Sequence, residues 1–127
     1  MSFSVLVVED DADSRDLLNF RLTREGYIVR TAGDGISGFH VARIKKPNVI
    51  ITDITLPEMN GLELIRQIRL EPEIADTPIV VYTAYTREEM EIVFTAGASR
   101  SFYKPLDIDK LIDYINELWK KSQKHSV

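Results

Sequence analysis

Four short apolar runs of this chain each end in a residue that phosphoryl chemistry can use. Val5-Leu6-Val7-Val8 leads into Glu9-Asp10, and Val49-Ile50-Ile51-Thr52 into Asp53. Ile79-Val80-Val81-Tyr82 leads into Thr83-Ala84, and Phe102-Tyr103 into Lys104-Pro105. If the four runs are parallel neighbours in one sheet, three carboxylates, a hydroxyl and an ammonium gather at one edge. An acid after a single strand is ordinary solvated loop. The same coincidence on four strands asks for another reason.

Clustered carboxylates repel one another, and a partly buried pocket also strips them of water. A divalent, oxygen-seeking cation resolves that conflict, and Mg²⁺ suits it best because it keeps several waters beside few protein ligands. The formal charges of Glu9, Asp10 and Asp53 are cancelled by such a cation together with Lys104. Asp53 stands alone at its strand end, which makes it the natural nucleophile, with the Glu9-Asp10 pair holding the metal. Adjacent strands lie about 4.8 Å apart, so acids from both can share one ion. A carboxylate can form an aspartyl-phosphate when a metal screens the incoming phosphoryl oxygens. Lys104 starts two strand spacings from Asp53, about 10 Å, and its stem reaches roughly 6 Å towards a phosphoryl oxygen. Thr83 can donate to another oxygen, and small Ala84 lets the group approach. Taken singly, Thr83 is a β-branched strand residue and Lys104 a solvated charge.

The elements that must position these residues follow a βαβ rhythm: apolar runs of four to six residues alternate with longer segments of helical period. The central runs are apolar throughout, as expected for strands covered on both faces. The expected fold is α/β, a doubly wound five-stranded parallel sheet of order 2-1-3-4-5 with helices on both faces. In such sheets ligands bind beyond the carboxyl ends of the strands, where strand order reverses. Here that lies between the runs ending in Glu9-Asp10 and Asp53. A first helix is expected over about Asp13 to Glu25, with Leu17/Phe20 and Leu18/Leu22 at helical spacing and Gly26 as the stop. A strand over Tyr27 to Arg30 follows, then a helix over roughly Gly35 to Lys45 that Gly35 and Gly38 weaken. A third helix shows Leu62, Ile65 and Ile68 on one face. A fourth, about Arg87 to Ala96, carries Met90, Val93 and Phe94. The last has the cleanest stripe, through Ile108, Leu111, Ile112, Ile115, Leu118 and Trp119, with Lys120, Lys121 and Lys124 near its end.

A length of 127 residues suits one domain with a real core. We expect a single unit over 1–127, its core at about 3–121 and a polar tail at 122–127. Hydrophobic content of 44% and charged content of 28% are ordinary globular values. The net charge of −4 argues against direct nucleic-acid binding. The absence of cysteine excludes disulfides, thiolate zinc sites and cysteine nucleophiles. No signal segment opens the chain and no apolar stretch nears the roughly 18 residues of a membrane span. The expected location is therefore the cytoplasm, with no membrane partner.

These residues resemble the receiver domain of bacterial two-component response regulators, of the single-domain, chemotaxis-regulator type, over nearly the whole chain. The resemblance rests on Val5 through Asp10, Asp53 within Asp-Ile-Thr-Leu-Pro-Glu-Met-Asn-Gly, Thr83-Ala84, and Ala96-Gly97-Ala98 through Lys104-Pro105. It implies a flavodoxin-like fold and a phosphorylation-activated signalling switch, a phosphoacceptor that promotes its own phosphoryl transfer and dephosphorylation. Asp53 would take its phosphoryl group from a sensor histidine kinase or a phosphotransfer protein. Glu9, Asp10, Asp53 and the carbonyl of Thr55 would bind Mg²⁺, Thr83 and Lys104 would read the phosphoryl group with Ala84 against it, and the Lys104–Pro105 bond would be cis. A downstream protein would read the face of the fourth helix, fifth strand and fifth helix, with Met90, Ile92, Phe102 and Tyr114 contributing.

Asp11 lies beyond the aligned acid pair and reads as a loop residue or helix-cap contributor. Ser101 stands where the family places Tyr or Phe, so Tyr103 or Tyr85 takes that role, or switching here uses no aromatic; Thr55 and Tyr85 are expected to tune phosphoryl lifetime. The competing classes are a phosphorelay intermediate, the receiver of a longer DNA-binding regulator, a Mg²⁺-dependent phosphatase and an unphosphorylated docking module. A haloacid-dehalogenase-type phosphatase favours a second Asp two residues after the nucleophile, where this chain has Thr55. Asp11-Ala12-Asp13-Ser14-Arg15 is not a calcium loop, since Arg15 takes a ligand position and the required glycine is missing. His40 and His125 read as surface residues.

Overall fold

The computed structural model describes residues 3–84 and 87–124. Strands and helices alternate: β1 (Ser4–Val8), α1 (Ala12–Arg24), β2 (Ile28–Ala32), α2 (Gly35–Lys45), β3 (Val49–Thr52), α3 (Gly61–Leu70), β4 (Ile79–Thr83), α4 (Arg87–Ala96), β5 (Arg100–Tyr103) and α5 (Ile108–Lys124). All strand pairs are parallel, in the order β2-β1-β3-β4-β5, as the sequence predicts.

Alternation along the strands divides the interior into two cores. Leu6, Val8, Ile50, Ile79 and Val81 face one way, against Ala42 of α2, Leu64, Ile65 and Ile68 of α3, and Val93 of α4. Val5, Val7, Val49, Ile51, Val80 and Tyr82 face the other, against Leu18 and Leu22 of α1 and Leu111, Ile112 and Ile115 of α5. Successive strand side chains point to opposite faces, so a strand covered twice must be apolar at every position. That is why the sequence shows runs rather than alternation.

The glycines that weaken α2 on propensity are required by contact. A Cβ at Gly38 would lie 2.8 Å from a methyl of Val8, and one at Gly35 would lie 1.7 Å from the Met59 carbonyl oxygen. Close approach of α2 to β1 at Gly38 and to the β3–α3 loop at Gly35 therefore overrides propensity here.

Other differences from the sequence reading are local. On α1, Leu18 and Leu22 are buried, whereas Leu17 and Phe20 are 49% and 58% exposed. Two adjacent apolar pairs compete for one buried stripe, and the sheet selects one. β2 runs two residues further than expected, to Ala32. Leu64 joins the face of α3, and Phe94 and Trp119 are exposed. Ile74, in the turn between α3 and β4, is buried in the core although no helical or strand pattern marks it.

Candidate functional site

Register decides which residues meet. Val8 pairs with Thr52, so Glu9 and Asp53 are the next residues of adjacent strands. Thr52 pairs with Val81 and Thr83 with Tyr103, which places Thr83 and Lys104 at the same carboxyl edge. The sheet thus brings Glu9, Asp53, Thr83 and Lys104 together as expected.

Lys104 is the centre of the cluster. Its Nζ donates to Oδ2 of Asp53 at 2.7 Å and to Oε1 of Glu9. The three side chains are only 18%, 12% and 3% exposed, respectively for Lys104, Asp53 and Glu9. Burial works against the lysine charge. The hydrogen bonds it donates to Asp53 and Glu9, with the pull of their charges, outweigh it and hold the Lys104 ammonium above its ordinary pKa. Each carboxylate is further committed: Oε2 of Glu9 accepts the Asp11 N–H at 3.2 Å, and Oδ1 of Asp53 accepts the Ile54 N–H at 2.6 Å.

Thr83 occupies the next strand end with its side chain fully buried, and among the described residues its Oγ1 has no hydrogen-bond partner. A buried hydroxyl without a partner costs free energy, so this donor is suited to an acceptor arriving in the site. Asp10, Thr55 and Ala84 are exposed around the cluster. The Lys104–Pro105 bond is cis, the geometry that the resemblance implies.

Among the described residues, no three acidic or histidine side chains form a closed metal-binding group. Glu9 and Asp53 are turned onto Lys104, while Asp10 faces solvent. The donors are nevertheless those a hard cation prefers: carboxylates gathered at one sheet edge, for an ion that retains most of its water. The donor set fits Mg²⁺.

The backbone around Asp53 has little freedom. Its carbonyl oxygen accepts from the Thr52 hydroxyl at 2.8 Å. A Cβ at residue 61 would come within 2.0 Å of that oxygen, so only Gly61 allows the loop to fold back and donate its N–H to the Ile54 carbonyl at 2.7 Å. Asp11 caps α1, accepting the Ser14 N–H at 2.9 Å, which settles its two sequence alternatives in favour of the cap.

Arg15 was missed by sequence reasoning. Its Nη1 donates to the Glu9 carbonyl at 2.9 Å and reaches the Asp10 carbonyl at 3.5 Å, bracing the acid pair from below. A signal for it exists. A cation in the first turn of a helix opposes the dipole and needs a local partner.

Expectations for the output face are mixed. Ile92 is exposed and Tyr114 half-buried, but Phe102 is buried in the α5-side core, 5.9 Å from the Tyr114 ring. It supports that face from beneath rather than contributing surface. Tyr103 does share a face with Ser101 and packs against the α2–α3–α4 core. Tyr85 and His125, and the side chains of Met90 and Lys124, lie outside the described residues.

The sequence model of the response regulator receiver domain matches residues 5–116. An uncharacterized 14.6 kDa protein in the sodA1 3' region of Leptolyngbya boryana is 36% identical over 114 residues, covering 89% of this chain and 87% of that protein. The probable transcriptional regulatory protein TcrX of Mycobacterium tuberculosis is 32% identical over 120 residues, 94% of this chain and 50% of its own length. The chain thus spans about half the length of several curated regulators it matches. The structure of the chemotaxis response regulator CheY4 of Vibrio cholerae superposes with a TM-score of 0.86 at 28% identity, over 93% of this chain and 99% of that one.

Proposed function

The chain belongs to the response regulator receiver-domain family, and from that premise we propose that it is a phosphorylation-activated switch with Asp53 as phosphoacceptor. The Asp53 carboxylate oxygen attacks the phosphorus of a phosphohistidine on a kinase or phosphotransfer protein. The P–N bond breaks, the leaving imidazole takes a proton, and an aspartyl-phosphate remains. Asp10, Asp53 and Glu9, with the Thr55 carbonyl, are the residues that would hold Mg²⁺. When bound, that ion supplies positive charge against the phosphoryl oxygens.

One observation carries the reading: Lys104 is held 2.7 Å from Asp53 while the buried Thr83 hydroxyl at the same sheet edge lacks a partner among the described residues. Phosphorylation adds acceptor oxygens and a charge of about −1.5 to −2 at that point. Lys104 then follows the phosphoryl group and Thr83 gains an acceptor. Only such a contact, present in one state and absent in the other, shifts a conformational equilibrium. The α4–β5–α5 face would report it, with Tyr103 as the aromatic on the Ser101 side of β5 and Ala84 against the phosphoryl group.

The matched length supports one receiver unit with its core at about 3–121. The greater length of relatives such as TcrX supports a second reading, in which this unit governs a separate DNA-binding output. A multiple-turnover phosphatase is disfavoured by Thr55, which offers no carboxyl group as acid/base. No described helix is long and apolar enough to cross a membrane.

Incubation with a small acyl-phosphate donor and Mg²⁺ tests the proposal by intact mass. A single base-labile, hydroxylamine-sensitive phosphoryl adduct on the intact chain and none on Asp53→Asn is expected. An adduct that survives Asp53→Asn, or continuous release of phosphate from free phosphoesters, would overturn it.

A further inference from the structure

We propose that the groove between β2 and α2 is a docking site for an acidic, aliphatic segment of a partner protein, separate from the phosphoacceptor edge. The groove encloses about 410 Å³ and is lined by Arg30 and Thr31 of β2 and by His40, Val41, Ile44 and Lys45 of α2. None of these residues is among the contacts of Asp53, Thr83 or Lys104 described above.

Three features converge on it. First, β2 is the edge strand of the sheet and, among the described residues, pairs with β1 alone. One row of its backbone N–H and C=O groups therefore faces outward, able to receive another strand. Second, the groove is apolar where it is most open. Ile44 is 71% exposed, and Ile28 is a second exposed aliphatic on the Arg30 face of β2. That face is the α2 side, because Ala32 shares it and is buried in the core beneath α2. Third, its charges have one sign. Arg30 and Lys45 line it and, among the described residues, no acid does, although the chain as a whole carries −4.

These features select the occupant. An extended segment laid along β2 would pair its backbone with the free edge and set alternate aliphatic side chains over Val41 and Ile44. Its carboxylates would then meet Arg30 and Lys45. A second copy of this chain, laid on by two-fold symmetry, would set these cations against their own counterparts, so self-association is disfavoured. A nucleic-acid backbone offers nothing to the aliphatic floor.

The probe is a short, capped peptide alternating glutamate with leucine and isoleucine, titrated into the ¹⁵N-labelled full chain without phosphodonor. Amide shifts confined to Ile28–Ala32 and His40–Lys45 are expected, weakening as salt rises. Ile44→Asp and Lys45→Glu should each reduce affinity at least about tenfold. Both positions are exposed, so these variants are expected to keep the native circular dichroism spectrum. The matching peptide with lysine in place of glutamate should not bind. The proposal is overturned by shifts elsewhere, by unchanged affinity in both folded variants, or by equal binding of the lysine peptide. It is also overturned if this face is instead lost to concentration-dependent dimerisation or bound only by vesicles of anionic phospholipid.

Discussion

Thr83→Val separates the resting fold from the switch. Valine has nearly the shape of threonine and suits a strand, and it replaces a buried hydroxyl that lacks a partner among the described residues. An unsatisfied buried donor costs roughly 1–3 kcal/mol. Taking the lower end, the unphosphorylated variant should gain about 1 kcal/mol, a rise of roughly 3–5 °C in unfolding midpoint for a domain of this size. On the proposed function, the phosphorylated chain should behave oppositely. There the hydroxyl would donate to a charged oxygen, a contact worth about 1.5–3 kcal/mol, so its loss should weaken the conformational shift roughly 10- to 150-fold. Urea unfolding of the unmodified protein measures the first effect. Amide shifts across β4, α4 and β5, with and without an acyl-phosphate donor, measure the second. An unmodified variant destabilised by more than about 1 kcal/mol, or a phosphorylation response equal to wild type, would refute the reasoning.

Further outcomes follow from the buried cations. Lys104→Met leaves Glu9 and Asp53 side by side without their shared counter-charge; a loss of about 3 kcal/mol at neutral pH is expected, shrinking in acid as carboxylates take up protons, and urea titrations at both pH values check it. Arg69→Met strips donors from three carbonyls, those of Gly97 at 2.8 Å, Ala75 at 2.8 Å and Thr77 at 2.7 Å; about 3 kcal/mol should be lost, with amide exchange accelerated in the turn after α4. Alkaline pH should destabilise the fold: Lys104 sits above its ordinary 10.5 because its acid partners outweigh burial, and Tyr27 and Tyr82 sit above 10.0 mainly through burial. Groups raised in the native state stabilise it fully below those ordinary values and lose that contribution as pH climbs through the native ones; unfolding midpoints that stay flat from neutral pH past this range would exclude it.

Much of the site was legible because it is built from strand ends. A fully covered parallel strand must be an apolar run, and the first polar residue after it must lie at the sheet edge. Glu9, Asp53, Thr83 and Lys104 could therefore be placed without coordinates. What stayed hidden depends on contacts between elements distant in sequence. The choice of Leu18 and Leu22 over Leu17 and Phe20 is made by the sheet beneath α1. The tolerance of α2 for Gly35 and Gly38 comes from Met59 and Val8 pressing against them. Arg15, set aside as a residue that spoils a calcium loop, braces the backbone of Glu9 and Asp10. The pairing of Glu9 with Lys104 was not foreseen either, because it joins side chains 95 residues apart in sequence.

That shared cation behaves as a latch with two teeth. Because the ammonium is gripped by Glu9 as well as Asp53, altering Asp53 alone leaves one tooth engaged. Full release requires that Glu9 let go of the ammonium as well. On the proposed function, phosphorylation of Asp53 should therefore move the ammonium fully only where Glu9 also exchanges its partner.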